Sequence, residues 1–424
     1  MNNLLEKDAT HVWHPFTQMQ TAEPPIPIVK GKDATLTDVN GKTYLDCNSS
    51  WWTILHGHGN NHIGNAIKDQ FFELDHTVFA GVTHPKATEA AERIVNLLPE
   101  KFTKVFYSDN GSTSTEVALK MTFQYWHNQG RPKTKFLAIE GAYHGDTFGA
   151  MSVGQRDMFN APFEALFFDV EYIPFPTESN FEAVLEIAEK LLKTEDIAGF
   201  IFEPLVQGAS GMRMYDKSWL DQLIALAHKY QTITIADEVM TGFYRLGTLF
   251  AIDQLVNKPD IICMSKGVTG GVLPIGLTVT TDRIYDAFLS DEIAKGFLHG
   301  HSFTGNPLSC AAICASLDLL DQSKTKTKIK NICDWQLDYQ SKLVDHPVLK
   351  SVRVTGTILA IEIKIDGSSS YFSSIRDIAY KYFIKNGLLI RPLGNVIFIN
   401  PPYCITAEEL AYTYDVIQSF LDTI

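Results

Sequence analysis

A chain of 424 residues is too long for one simple core and predicts two or three domains. Its net charge of −13, with no basic block, argues against nucleic acid or an anionic membrane surface as the main partner. Six cysteines (Cys47, Cys263, Cys310, Cys314, Cys333, Cys404) show no CxxC pair and no framework spacing, which predicts reduced thiols in a reducing compartment. The first residues, MNNLLEKDATHVWH, lack the basic and apolar regions of a secretory signal. No apolar run is long enough to span a bilayer, so a cytoplasmic location is expected.

In chain order, the first fifty residues are rich in aromatics and proline. Asn40-Gly41, between the runs 35–39 and 42–46, predicts a hairpin. Ser49-Ser50-Trp51-Trp52 follows, then HGHGNNH at 56–62. The glycines and asparagines there suit turns, and without a nearby cysteine or carboxylate cluster no metal site is expected. From 102 to 276, apolar strands (104–107, 136–139, 199–202, 232–236, 261–264) alternate with helical stretches (112–127, 181–193, 217–230). That alternation predicts an α/β fold, a mainly parallel sheet with helices on both faces. After Asn306-Pro307 the texture changes. A helix at 308–320, a linker DQSKTKTK and a helical segment through 343 precede paired strand signals in 352–363 and 388–400. The expected organisation is a large α/β domain over 51–309 and a smaller α+β domain over 310–424. The N-terminal segment 1–50 packs with the smaller domain.

Several stretches carry chemistry. VFYSDNGSTSTEVALK (105–120) reads as strand, turn and helix, with Thr113 and Glu116 spaced as a capping box. A helix start with Gly111 and Ser112 is either a phosphate seat or an ordinary capped helix. The missing lysine excludes a nucleotide P-loop. EGAYHGDT (140–147) brings Tyr143 and His144 to the same edge, where Tyr143 either stacks on a planar ring or packs in the core. Glu203 ends another strand and either orients loops or serves structure alone. The two buried runs 232–236 and 261–264 deliver one ionisable residue each, Asp237 and Lys266. About two dozen residues separate the runs, enough for the crossover that parallel neighbours require. Ligands bind beyond the carboxyl ends of such strands. An acid and an amine aimed into one crevice suit a pyridoxal phosphate (PLP) enzyme, which needs a lysine for the Schiff base and a carboxylate for the pyridinium nitrogen. His299-Gly300-His301-Ser302 adds a glycine-flanked hydroxyl. Arg391, at a strand end, has the fork that clamps a carboxylate.

Together, ADEVMTGF and PDIICMSKGVTGG resemble the class III, fold-type I PLP-dependent aminotransferases, and the resemblance covers nearly the whole chain. Within that class, HVWHPFTQM, SSWWTILHGH, GAYHGDTFGAMSVG and LLIRPLGNVIFINPP are similar to the biotin-pathway aminotransferases that act on 8-amino-7-oxononanoate. The resemblance implies amino transfer to that ketone to give 7,8-diaminononanoate. S-adenosyl-L-methionine is the expected donor and L-lysine the alternative. It implies that Lys266 holds pyridoxal 5'-phosphate, that Asp237 keeps its ring nitrogen protonated, and that Tyr143 lies against the ring. Gly111 and Ser112 would take the phosphate, helped by Ser302 from the partner in a homodimer whose active sites are shared, and His301 would also bind the cofactor. Phe16, Trp51 and Trp52 would wall the substrate pocket, Gly300 would touch substrate, and Arg391 would take its carboxylate. Small molecules are the expected partners.

There are departures. Phe16 stands where well-studied members carry a tyrosine, and His301 and Ser302 replace a proline and a threonine seen in some. Phe16 and HGHS also occur in members that use lysine, which leaves the donor open. Another class III enzyme, acting on ω-amino acids or diamines, a PLP-binding protein without catalysis, and a binding module that uses the helix-start phosphate seat without PLP are the competing readings.

Overall fold

The structure, a computed structural model, describes residues 2–365 and 374–424. Its centre is a seven-stranded sheet in the order Phe102–Ser108, Gly276–Thr281, Ile261–Met264, Ile233–Asp237, Ile197–Phe202, Lys135–Ile139, Val170–Ile173. Only Gly276–Thr281 runs against its neighbours; the last five strands pair in parallel. Strands buried on both faces need apolar residues at every position rather than every second one. IAGFIF (197–202) and IICM (261–264) are buried throughout.

Successive side chains point to opposite faces of a strand, and they divide between two cores accordingly. Phe136, Ala138, Ile201, Ile233, Ile235 and Ile261 pack with the helix Gly111–Asn128 on one side. Leu137, Ile139, Phe200, Phe202, Ile262 and Met264 pack on the other, with residues of the helices Phe181–Leu192 and Lys217–Lys229. The α/β architecture expected from the alternation is present.

Two strands of this sheet escaped the sequence. Val170–Ile173 is a short edge strand, VEYI. Gly276–Thr281 reads GLTVTT, and its threonines are buried rather than solvated. The expected linker after residue 320 is also corrected. Pro307–Asp321 is followed by Gln322 alone, and Ser323–Leu343 is one long helix. Its buried residues are Thr325, Ile329, Ile332, Gln336, Tyr339 and Leu343. That is a helical stripe that begins on a threonine, so the lysine-rich first turns hid it.

The hairpin at Asn40-Gly41 forms between Thr35–Asp38 and Thr43–Asp46, and gains a third strand, Ile28–Lys32. Leu388–Leu389 completes this sheet, lying parallel to Thr43–Asp46. The signal over 388–400 therefore splits. Its second half, Val396–Ile399, joins the antiparallel pair Leu349–Thr355 and Ile358–Ile363 in a different sheet. The chain ends on the helix Ala407–Leu421, capped by Thr406. No described helix is long and apolar enough to cross a membrane.

Candidate active site

The carboxyl ends of the parallel strands meet in a cavity of ≈ 410 Å³. Asp237 ends Ile233–Asp237, and Lys266 follows Ile261–Met264; the register places Asp237 beside Cys263, so acid and amine leave adjacent strands. Both line the cavity, with Trp52, Gly111, Ser112 and Tyr143.

Asp237 is buried and held from two sides. Its Oδ1 accepts the Val239 N–H at 3.0 Å, and its Oδ2 lies 2.7 Å from His144 Nδ1. A carboxylate oxygen accepts, so His144 carries its proton on Nδ1. The other ring nitrogen, Nε2, is buried without a partner among the described residues.

Lys266 opens a short turn, Lys266–Thr269, with φ of +45°, a left-handed backbone. Such a residue costs of order 1–3 kcal/mol and persists only where its surroundings impose it. Its Nζ lies 4.7 Å from the centre of the Trp52 ring. Burial lowers its pKa below 10.5; the Arg245 charge works in the same sense, against Asp237 and Glu203. The loop beyond turns back through Gly271, at φ +87°. A Cβ there would meet the Thr53 carbonyl oxygen at 2.3 Å, so only glycine fits.

Gly111 and Ser112 begin the helix Gly111–Asn128. The capping box differs from the one expected. Asn110 is the cap, its Oδ1 accepting the Thr113 N–H at 2.9 Å, while Thr113 Oγ1 accepts the Asn110 N–H at 3.0 Å. Glu116 instead accepts the Gly149 N–H at 2.6 Å, which ties the short helix Phe148–Ser152 to this helix. The N–H groups of Gly111 and Ser112 keep no partner among the described residues. Ser112 Oγ accepts the Asp146 N–H at 3.1 Å and so has its own proton to give. Two free N–H groups and a hydroxyl at a helix start are the donor set for a phosphate. Gly111 packs its bare Cα on Val239, whose Cγ1 lies 2.8 Å from where a Cβ would sit.

Tyr143 donates its O–H to Asp146 at 3.0 Å, and partial burial raises its pKa. Its N–H donates to Glu203 Oε1 at 3.0 Å, while Glu203 Oε2 accepts the Gly208 N–H at 2.9 Å. Burial, with the nearby Asp237, pushes the Glu203 carboxyl up to about 7. Glu203 thus sets the loop that carries Tyr143 and His144, the role that the sequence left open.

Trp51 and Trp52 leave the chain in an unusual way. Ser49, Ser50, Trp51 and Trp52 have φ of +50°, +44°, +70° and +71°. Left-handed backbone costs roughly 1–2 kcal/mol for each non-glycine residue. The turn sends Trp52 into the cavity and Trp51 outward. The Trp51 ring lies 5.5 Å from the Phe16 ring and 4.9 Å from the Arg391 guanidinium carbon. Phe16, Trp51 and Arg391 therefore form a separate cluster and do not line the cavity. Gly300, His301 and Ser302 also lie off it. The His301 N–H donates to Thr304 Oγ1 at 3.1 Å, and Gly300 and Ser302 are exposed. The histidines of 56–62 go to separate partners: His56 to Ser316, His58 to Asp46 and His62 to Asp318.

Sequence reasoning gave no role to Val239, Met240 or the turn 271–274, which also line the cavity. The glycine pair Gly270-Gly271 was the available signal, since two successive positive-φ positions mark a loop forced close to other backbone.

The profile of the family "Aminotransferase class-III" matches residues 17–421. The chain belongs to the class III aminotransferases. Among members of this family, it is 47% identical over 422 residues to the adenosylmethionine-8-amino-7-oxononanoate aminotransferase of Synechococcus elongatus, covering 98% of this chain and 99% of the relative. The protein of the same description from Geobacter sulfurreducens is 38% identical over 99% of this chain and 98% of its own. Among solved structures, this class III fold superposes on the adenosylmethionine-8-amino-7-oxononanoate aminotransferase of Methanocaldococcus jannaschii with a TM-score of 0.94. That protein is 33% identical over 100% of this chain and 99% of its own. An amine transaminase from an uncultivated Pseudomonas species, solved in its PLP-bound form, is 28% identical, with a TM-score of 0.89 over 97% of this chain and 98% of its own.

Proposed function

We propose that the protein is a PLP-dependent transaminase that moves an amino group from S-adenosyl-L-methionine to 8-amino-7-oxononanoate, giving 7,8-diaminononanoate for biotin synthesis. The observation that carries this reading is the joint placing of Lys266, Asp237 and the open helix start Gly111-Ser112 around one cavity. When bound, PLP supplies the electron sink that makes the substrate Cα–H acidic. Asp237 holds the ring nitrogen's proton, itself oriented by His144. The N–H groups of Gly111 and Ser112 take the phosphate, and Tyr143 flanks the ring. Lys266 Nζ, its pKa lowered by burial, would take the substrate Cα proton as general base and give it back as general acid.

The acceptor is a methylene chain ending in a carboxylate. Phe16 and Trp51 offer apolar walls, and the adjoining Arg391 offers the fork for the carboxylate. The names of the relatives support both acceptor and donor. Half-reaction spectroscopy tests the reading. S-adenosyl-L-methionine should convert the cofactor to its amine form, and 8-amino-7-oxononanoate should convert it back. Conversion by L-lysine in place of S-adenosyl-L-methionine would correct the donor. Return by 2-oxoglutarate alone would favour an ω-amino acid or diamine enzyme.

We read the active form as a homodimer in which Gly300, His301 and Ser302 serve the partner's site. Exposed Phe71, Phe72, Val78, Leu298 and Phe303 support this as large apolar groups open to a partner, with the Phe303 ring 5.4 Å from His76. The division into a large domain 51–309 and a small domain built from 1–50 and 310–424 is supported by the pairing of Leu388–Leu389 with Thr43–Asp46. Six free thiols suit a cytoplasmic location.

A further inference from the structure

We propose that Asp46 is a positioning residue for the substrate site, acting by holding the left-handed turn Ser49–Trp52 through which the two tryptophans diverge. The inference rests on the reading above that Trp51 and Arg391 receive the acceptor. Four successive non-glycine residues with positive φ do not hold that shape unaided. Asp46 is wholly buried at the end of Thr43–Asp46 and faces the turn. Its Oδ1 accepts the Ser50 N–H at 2.9 Å, and its Oδ2 accepts the Ser50 hydroxyl at 2.7 Å. His58 Nε2 lies 2.9 Å from the same Oδ2 and anchors the carboxylate from behind. One buried side chain thus holds the second residue of the turn by backbone and side chain together.

The start of the turn is tied to the C-terminal sheet. Ser49 Oγ donates to the Asn400 carbonyl at 2.7 Å. Asn48 Nδ2 donates to the Phe398 carbonyl at 2.8 Å, and Asn48 Oδ1 accepts the Arg391 N–H at 2.7 Å. Arg391 and Trp51 are therefore set by one framework, and Trp52, the next residue, lies over Lys266. Loosening Ser50 should disturb the Trp51–Arg391 wall first, because Trp51 is exposed while Trp52 is buried in the core.

The test compares Asp46→Asn, Ser50→Gly and the double variant. Asp46→Asn turns an acceptor oxygen into a donor facing Ser50 and His58. The expected result is a rise in KM for 8-amino-7-oxononanoate of about tenfold or more, with cofactor loading and kcat within about threefold of the parent. Glycine takes positive φ without the Cβ penalty, so Ser50→Gly in the Asp46→Asn background should recover most of the lost affinity. A merely structural loss of stability would lower cofactor loading and kcat rather than raise KM alone. An unchanged KM in Asp46→Asn, or a raised KM that Ser50→Gly leaves unrestored, overturns the proposal. The near-ultraviolet circular dichroism of the tryptophans gives a readout free of substrate. It should change in Asp46→Asn and return in the double variant. If it does so while Trp51→Ala and Arg391→Ala leave KM unchanged, the clamp stands and the substrate assignment fails. If Asp46→Asn does not fold, the milder Ser50→Ala, which deletes the hydroxyl bond alone, should raise the same KM about threefold; no rise overturns the proposal.

Discussion

His144 Nδ1 and Asp237 Oδ2 lie 2.7 Å apart in a buried pair at the floor of the cavity, although 93 positions separate them in the chain. The bond fixes the tautomer of one and the orientation of the other, and leaves Asp237 facing the cavity with an acceptor. Asp237→Asn removes the anion and should lower the single-turnover rate with the amino donor by about 10²–10³-fold. Stopped-flow absorbance of the bound cofactor measures it. A rate within threefold of the parent would remove Asp237 from its role.

Lys266 should be indispensable. Reduction with borohydride followed by intact-mass measurement should give a cofactor adduct in the parent and none in Lys266→Ala. Turnover in that variant should fall by at least about 10³-fold. Because burial depresses the amine below 10.5, the acid limb of the rate should lie below that value, with activity rising through it as the amine loses its proton. The linked stability term has a definite sign. The unfolded chain holds this proton more tightly, so the cost is complete below the folded pKa and fades as pH rises towards 10.5. Lys266→Met should therefore raise the Tm of the cofactor-free protein near neutral pH.

Glu203 gives a pH signature of its own. Its folded pKa of about 7 stands above the ordinary 4.5. The folded protein keeps a proton that the unfolded chain releases, so this term lowers stability as pH rises from 4.5 through 7 and is fully unfavourable above it. The size is at most roughly 3 kcal/mol. Buried Glu238 behaves similarly but is common to both proteins, so the difference between parent and Glu203→Gln isolates Glu203. Urea unfolding across this range should show the parent losing stability relative to the variant. Parallel curves would contradict it.

Gly111 meets Val239 where a Cβ would belong. Gly111→Ala should cost about 1–3 kcal/mol through overpacking and weaken PLP binding, because the free N–H groups shift with the helix start. Val239→Ala opens the space and should recover much of the loss, which a double-mutant cycle on Tm and on PLP affinity would read as coupling.

Arg391→Ala should raise KM for the keto acid about 10- to 100-fold, the worth of a charged hydrogen bond, while kcat and the half-reaction with the donor change little. Steady-state kinetics with 8-amino-7-oxononanoate decide it. An unchanged KM would move the carboxylate elsewhere.

The parallel strands were legible because burial on both faces demands unbroken apolar runs, as in IAGFIF and IICM. Gly276–Thr281 was not, since buried threonines read as polar until their partners are known; Thr278 Oγ1 donates to the Ser114 carbonyl at 2.8 Å. The helix Ser323–Leu343 was half hidden for a related reason, its lysines lying on the solvent side of a stripe that starts at Thr325. The capping residue was misplaced by three positions, because Thr113-x-x-Glu116 matched the pattern that Asn110 in fact begins. In the site, residue types were readable and their partners were not.

By itself the sequence determined the chemistry on offer: a lysine and an aspartate at the ends of buried strands, a glycine at a helix start, paired tryptophans and an arginine. Those depend on local pattern, on which faces of a strand are apolar and where turns must fall. Tertiary structure decided the rest. It brought His144 to Asp237, gave Glu203 the loop of Tyr143 to hold, and set Trp52 over Lys266 while turning Trp51 to Arg391. These pairings join segments far apart in the chain. Their geometry comes from strand order and from a strained turn held by a buried carboxylate, and neither is written in local sequence preference.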